Sequence, residues 1–175
     1  MSRDLKVFTF EPSEHAVDNQ ERRNYRDALG LFPTGITIVT ALSDSGEKIG
    51  LTVNSFTSVS LHPPLILFAV ALRANSAAVF QPGTRFAVNI LSAEQEELAR
   101  HFARYHPDKF AEVVFTPGRD GVPILGGSSA WLEAAVQDVH PSGDHLLIVG
   151  RVDRFAHCGD APPLIYHRGQ YRHLD

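Results

Sequence analysis

The chain has a single cysteine in 175 residues, Cys158. It therefore holds no internal disulfide, and without a second thiolate a cysteine-based zinc site is excluded. Long apolar runs are lacking as well. The longest, Leu65 to Leu72, falls far short of the roughly 20 residues that span a bilayer. Neither a Gly-x-Gly-x-x-Gly pattern nor a P-loop occurs, which removes the Rossmann and P-loop routes to nucleotide binding. Charge of one sign is never concentrated: 16 Lys and Arg stand against 20 Asp and Glu, for a net charge of −4. That balance gives no basic footprint for nucleic acid or anionic lipid, so neither a nucleic-acid nor a membrane partner is expected. Met1-Ser2-Arg3-Asp4-Leu5-Lys6 lacks the basic stretch and apolar core of an export signal, and the chain reads as cytoplasmic. The nine histidines are scattered, and His101 and His106, five apart, fall off a common helical face, so no metal site is expected.

What is present suits one folded unit. With 43% hydrophobic residues the chain can bury one substantial core. Residues 1–20 are polar and poorly periodic, and are expected to form an arm that is disordered or packed on a neighbour. Residues 21–175 form the compact domain. Arg22 to Leu31 predicts a short helix ended by Gly30 and Pro33. Ile36 to Leu42 is rich in β-branched residues, and Ser43-Asp44-Ser45-Gly46 then turns the chain into a strand over Lys48 to Val53. Leu65 to Ala71 and Arg85 to Leu91 read as buried strands, with a helical turn over Asn75 to Phe80 between them. Ser92 and Gln95 form a capping-box pattern opening a helix on which Leu98 and Phe102 share a face. Gly118, Gly121, Gly126 and Gly127 mark a looped crossover. Trp131 to Val139, His145 to Phe155 and Leu164 to Tyr171 alternate as a β-meander. The fold class is mainly β (α+β): mostly antiparallel strands with a few short helices, closing into a barrel that leaves few exposed edges.

Four places carry candidate chemistry. Gly50-Leu51-Thr52-Val53-Asn54-Ser55-Phe56-Thr57-Ser58-Val59-Ser60-Leu61-His62-Pro63-Pro64 is dense in hydroxyls and amides between apolar flanks, as though a strand paused to present a polar edge. Such groups either bind a cofactor's oxygens without adding charge or satisfy their own backbone in local turns. Asn75 and Ser76 open a helical turn, where backbone N–H groups suit a phosphate or simply cap the turn. His145 follows the turn Gly143-Asp144, placed either for a reacting centre or for a hydrogen bond within the hairpin. Tyr166-His167-Arg168-Gly169 reads on its residues alone as an exposed hairpin.

Taken together these segments resemble the flavin reductase-like family, the FMN-binding split barrels that reduce flavin with NADH or NADPH. Besides Gly50 to Pro64, the resemblance rests on four segments in the family's order. These are Phe32-Pro33-Thr34-Gly35-Ile36-Thr37-Ile38-Val39-Thr40, Arg85-Phe86-Ala87-Val88-Asn89-Ile90-Leu91, Gly143-Asp144-His145, and Pro163-Leu164-Ile165-Tyr166-His167-Arg168-Gly169-Gln170-Tyr171. Closest in wording are the short reductase components of two-component flavin monooxygenases, which share the Pro107-Asp108-Lys109-Phe110 element. The resemblance implies a split barrel binding FMN or FAD, with NADH or NADPH as hydride donor and a partner monooxygenase that receives the reduced flavin. It implies that Gly50, Leu51, Thr52, Asn54 and Ser55 hold the flavin's ring edge and ribityl chain, with backbone groups offered by Ala69, Val70 and Ala71. Gly50 would let backbone approach the ligand closely. Asn75 and Ser76 would hold a phosphate, and His101 and Phe102 would lie near the cofactor. His145 is the candidate catalytic residue, while Tyr166, His167, Arg168 and Gly169 would meet the nicotinamide nucleotide. A homodimer with flavin sites near the subunit boundary is expected. Two positions depart from the pattern: Ala134 stands where many relatives carry cysteine, and Ala77-Ala78 where many carry another hydroxyl. The residues leave open FMN against FAD, NADH against NADPH, and a barrel that binds flavin, haem or pyridoxal phosphate without reducing anything.

Overall fold

A computed structural model describes residues 6–9 and 19–174. Most of the expected N-terminal arm therefore lies outside the described residues. Helix α1 (Asn19–Leu29) begins three residues before the expected Arg22 and stops at Gly30, whose N–H donates to Arg26 O at 2.8 Å. Next come β1 (Thr34–Gly35), β2 (Thr37–Leu42) and β3 (Lys48–Val53), the last two joined by the expected turn, with Gly46 at φ 79°. The segment read as a pause is itself a strand, β4 (Thr57–Leu61), and its partner β5 (Pro64–Ala71) follows directly. After a 3₁₀ turn at Ala77–Val79 come β6 (Arg85–Ile90) and α2 (Glu96–Ala103). The expected capping box between Ser92 and Gln95 forms, with Gln95 Oε1 accepting the Ser92 N–H at 3.1 Å, and the Ser92 hydroxyl also donates to Gly127 O. The crossover holds two short strands that the glycines had hidden, β7 (Phe115–Pro117) and β8 (Pro123–Leu125). The meander is the long hairpin β9 (Ala130–Ser142) and β10 (His145–His157), followed by β11 (Ile165–His167) and β12 (Gln170–Arg172).

Seven strands form one antiparallel sheet in the order β3-β2-β6-β9-β10-β5-β4. Its two edge strands, β3 and β4, are consecutive in the chain and separated only by Asn54-Ser55-Phe56. Three residues reach about 10 Å at most, so the sheet must curl until its edges meet. The chain passes from one edge of the sheet to the other, pairing first with β2 and then with β5. Beyond this crossing β3 stays paired with β2 and β5 with β10, and no ladder joins β3 to β5 among the described residues, which leaves the barrel split between them. At the crossing the Ser55 hydroxyl replaces a ladder partner: it accepts the Ala69 N–H at 2.9 Å and lies 3.3 Å from Ala69 O.

Alternation fills the inside. Ile66, Phe68 and Val70 of β5 point into a core with Val39, Phe80, Phe86, Val136 and Ile148, in which Phe68 meets Phe80 and Phe86 edge-to-face at 5.2 and 5.3 Å. A second cluster lies outside the barrel beneath α2, comprising Ile38, Leu91, Ala99, Phe102, Phe110, Leu125 and Leu164. It fastens α2 to β2 and β3, and so builds one wall of the opening described next.

Candidate active site

The split between β3 and β5 is a cleft of 1260 Å³. One wall is Lys48 to Val53 of β3 with Phe102 to Phe110 behind it; the other is Ala69 to Ala71 of β5 running on through Arg73, Asn75 and Ser76. Asn54 and Ser55 close the narrow end, and His145 enters from the start of β10, opposite Ala71 in the ladder. The structure thus brings together Gly50, Leu51, Thr52, Asn54, Ser55, Ala69, Val70, Ala71, Asn75, Ser76, Phe102 and His145, residues drawn from strands far apart in sequence. The volume exceeds the roughly 300–1,000 Å³ of a typical small-ligand pocket, leaving room for a second reactant beside the first.

Each polar group has a definite state. Thr52 Oγ1 donates to Ala99 O at 2.7 Å and so holds α2 to β3, and Ser55 is committed to Ala69. Asn54 is exposed and makes no hydrogen bond among the described residues, which leaves its amide for a ligand. Because Ala69 directs its N–H and C=O away from β10, Ala71, two residues on, directs its N–H the same way, into the split. An edge N–H, a free amide and a wall of small residues suit a planar heteroaromatic ring with carbonyl and ring-nitrogen edges, so the residues present fit a flavin.

Gly50 serves a purpose other than the expected one. A Cβ there would stand 2.2 Å from Phe102 Cε1, so the glycine admits the Phe102 ring rather than a ligand. Phe102, 1% exposed, is core under the cleft wall. His101 lies behind that wall, its Nε2 at 2.8 Å from Lys109 O.

His145 Nδ1 lies 2.7 Å from Asp144 Oδ1, and this hydrogen bond holds the exposed Asp144 carboxyl below the usual carboxylate range. With Nδ1 so engaged, Nε2 is the nitrogen left to face a reactant. Gly143, at φ 59°, makes the turn that presents the pair.

Tyr166, Arg168 and Gly169 are not on this cleft. They line a second cavity of 870 Å³ with Lys6, Arg26, Gly30 and Phe32, and Asn54 lines both. His167 lines neither. Arg168 and Gly169, at φ 52° and 73°, form a two-residue hairpin turn of the type that needs two left-handed residues, anchored by the Arg168 N–H to Gly30 O at 2.8 Å. The Arg100 guanidinium, 4.8 Å over the Tyr171 ring, fixes this hairpin to α2. The sequence reading missed Lys109, whose ammonium donates to Gly50 O at 3.1 Å and Phe102 O at 2.8 Å. It also missed Arg73, Arg104 and His106, which line the cleft.

The family model described as flavin reductase like domain matches residues 29–175. The chain belongs to the flavin reductase-like family. This flavin reductase-like chain is 46% identical over 149 residues to a probable flavin reductase of Rhizobium meliloti (strain 1021), covering 85% of its own length but 48% of that protein's. It therefore spans about half the length of that curated relative. Against the FMN reductase (NADH) SmoA of Agrobacterium fabrum it is 40% identical over 162 residues, 91% of each chain. The solved structure of the Streptomyces globisporus NADH:FAD oxidoreductase SgcE6 in complex with NAD and FAD fragments matches with a TM-score of 0.84 at 36% identity, covering 92% of this chain and 97% of that one. The mostly antiparallel barrel with a few short helices that the residues predicted, and the resemblance implied to be split, is shared with these flavin reductase structures.

Proposed function

We propose that this chain is an NAD(P)H-dependent flavin reductase that takes FMN or FAD in the split of its barrel and releases it reduced to a partner monooxygenase. The observation that carries this reading is the split itself: an open cleft large enough for two reactants, edged by unpaired backbone and amide donors, in a chain of the flavin reductase-like family. A bound flavin supplies the hydride acceptor. The protein's part is orientation: Asn54 and the Ala71 N–H hold one edge of the ring, and β3 and β5 confine it as a flat slot. His145 approaches from the β10 side with Nε2 available to the nicotinamide or its carboxamide, and Tyr166, Arg168 and Gly169 await the rest of the dinucleotide in the adjoining cavity. Asn75 and Ser76 take the flavin phosphate. No covalent intermediate is required. An open cleft suits a flavin that leaves after reduction.

We place the protein in the cytoplasm, where both dinucleotides are found. We propose a homodimer, supported by α1, an 11-residue helix with no buried residue, and by exposed Leu29, Leu31 and Phe32 beside it. The decisive experiment mixes purified protein with NADH or NADPH and with FMN or FAD, and follows the nicotinamide absorbance. Catalytic nicotinamide oxidation that depends on added flavin is the expected result. Flavin binding with no oxidation of either dinucleotide would make the chain a flavin-binding barrel only.

A further inference from the structure

The loop after α2 is tied down almost residue by residue. His101 Nε2 lies 2.8 Å from Lys109 O, the His106 ring stands 5.2 Å from the His101 ring, and His106 Nδ1 lies 2.8 Å from Asp108 O. Asp108 Oδ1 accepts the Phe110 N–H at 3.1 Å, and the Lys109 ammonium donates to Gly50 O and Phe102 O. Between these fastenings stand Arg104 and Tyr105. Both line the cleft, and their side chains make no hydrogen bond, ion pair or ring contact among the described residues. Tyr105 is 84% exposed, which puts its ring at the cleft mouth. The other cations on the cleft are engaged: Lys48 lies 5.5 Å over the Phe115 ring, Arg73 is within electrostatic reach of the Asp144 carboxylate, and Lys109 is held by its two carbonyls. A fixed loop that presents an unpaired aromatic ring next to an unpaired guanidinium, at the edge of a ligand cleft, suits a planar base joined to a phosphate.

We infer that Arg104 and Tyr105 form the adenylate site of a flavin dinucleotide and make FAD, rather than FMN, the flavin this cleft prefers, an inference that rests on the flavin reductase reading. FAD is FMN lengthened by an adenylate, so the two share the ring, the ribityl chain and the first phosphate. The cleft continues past the end that holds the ring. β3 lines it from Val53 back to Lys48, about 17 Å of extended chain, and Ser45, Gly46 and Glu47 carry the wall farther. Asn75 and Ser76, with Arg73 on the same wall, take the phosphate that both flavins carry. That leaves Arg104 for the second phosphate and Tyr105 for the adenine, which stacks on an aromatic ring through its own face. The nicotinamide dinucleotide has an adenylate too, but the cavity assigned to it is the adjoining one, which neither Arg104 nor Tyr105 lines. Adenine does not change when the flavin ring is reduced, so this contact holds both oxidation states alike. A stack at the open mouth also leaves the reduced flavin free to depart.

The test titrates riboflavin, FMN and FAD by calorimetry into wild type, Tyr105→Ala, Tyr105→Phe and Arg104→Gln, all changes at exposed positions, and measures the NADH concentration each protein needs for half its maximal rate. Wild type should bind FAD more tightly than FMN by about tenfold or more. Tyr105→Ala should lose FAD affinity by about fivefold or more, the low end of what one base-on-ring stack is worth, with riboflavin and FMN within about twofold of wild type. Tyr105→Phe keeps the ring and should keep FAD. Arg104→Gln should weaken FAD by about threefold or more and leave FMN within about twofold. Four results would each overturn the inference. Wild type that binds FMN as tightly as FAD has no adenylate site, and unchanged FAD affinity in Tyr105→Ala removes the stack. Equal losses of FMN and FAD would put the two residues on the shared flavin half. A raised NADH requirement with unchanged flavin affinities would give them to the nicotinamide dinucleotide. All four leave the flavin reading standing, whereas a wild type that binds none of the three flavins overturns both.

Discussion

The ring of Phe102 occupies the place of the side chain that Gly50 lacks: a Cβ on residue 50 would lie 2.2 Å from Phe102 Cε1 and 3.2 Å from Phe110 Cζ. The contact joins the cleft wall to the cluster beneath it. Phe102 is wedged edge-to-face against Phe110 at 5.1 Å and against the His101 ring at 5.4 Å, so it has little room to retreat. Gly50→Ala should therefore destabilise the fold by about 1–3 kcal/mol, the usual cost of overpacking a filled core. Chemical denaturation reads the loss. Adding Phe102→Leu, which vacates the ring, should recover part of it. A Gly50→Ala protein as stable as wild type with weakened flavin binding would return the glycine to the ligand side.

Much of the barrel is legible because its strands are buried, β2 and β6 on both faces and β5 on alternate residues. Ile36 to Leu42, Leu65 to Ala71 and Arg85 to Leu91 carry β-branched and aromatic residues in runs that can only be strands. β4 escaped notice for the opposite reason: Thr57 to Leu61 is an edge strand with almost nothing buried, so its hydroxyls imitate a loop. β7 and β8 hide among glycines and prolines. In the cleft, the residue types of Asn54, Ser55 and His145 gave them away, whereas Lys109 did not. Its chemistry exists only once residues 104–110 fold back against β3, a contact across 59 positions that no local pattern signals. Glu133 is another such case. A carboxylate in the middle of a strand reads as surface, yet it is 3% exposed, ion-paired with Arg154 across the β9–β10 hairpin and accepting the Arg119 N–H at 2.6 Å.

Asn54 and Ser55 are adjacent, but their changes should separate. Asn54→Ala removes a free amide and should weaken FMN binding about threefold to tenfold, corresponding to one hydrogen bond of roughly 0.5–1.5 kcal/mol, with thermal stability unchanged. Ser55→Ala breaks the bridge to Ala69 at the narrow end of the split and should lower stability as well as affinity. The double change should cost one to several decades in affinity. Fluorescence titration and thermal melts on the three variants decide it. Unchanged FMN affinity in the double variant would make the segment purely structural.

Leu29 at 55%, Leu31 at 55% and Phe32 at 75% exposure gather large apolar side chains at the end of α1, the surface on which the proposed homodimer would pair. Light scattering at micromolar concentration should give twice the chain mass, and Leu29→Asp with Phe32→Asp should shift it to the monomer. If the wild type runs as a monomer with flavin bound, the dimer is wrong.

His145 and Arg168 line different cavities, and on the proposed function both should act on the nicotinamide half-reaction more than on flavin retention. His145→Ala and Arg168→Ala should slow stopped-flow flavin reduction or raise the NADH concentration it requires, with the flavin dissociation constant within a few-fold of wild type. Loss of hydride positioning and uniform loss of cofactor binding have separate kinetic signatures. The Asp144–His145 hydrogen bond adds a titration. Because it lowers the Asp144 pKa in the folded protein, its contribution is present at every pH above the ordinary carboxylate range and is lost as pH falls through the lowered value. Asp144 should therefore stay ionised, and His145 oriented, throughout the neutral range. Carboxyl NMR should find the Asp144 midpoint moved up in His145→Ala. Normal reduction rates with lost flavin would instead place His145 and Arg168 around the flavin, and an unmoved Asp144 midpoint would dissolve the pair.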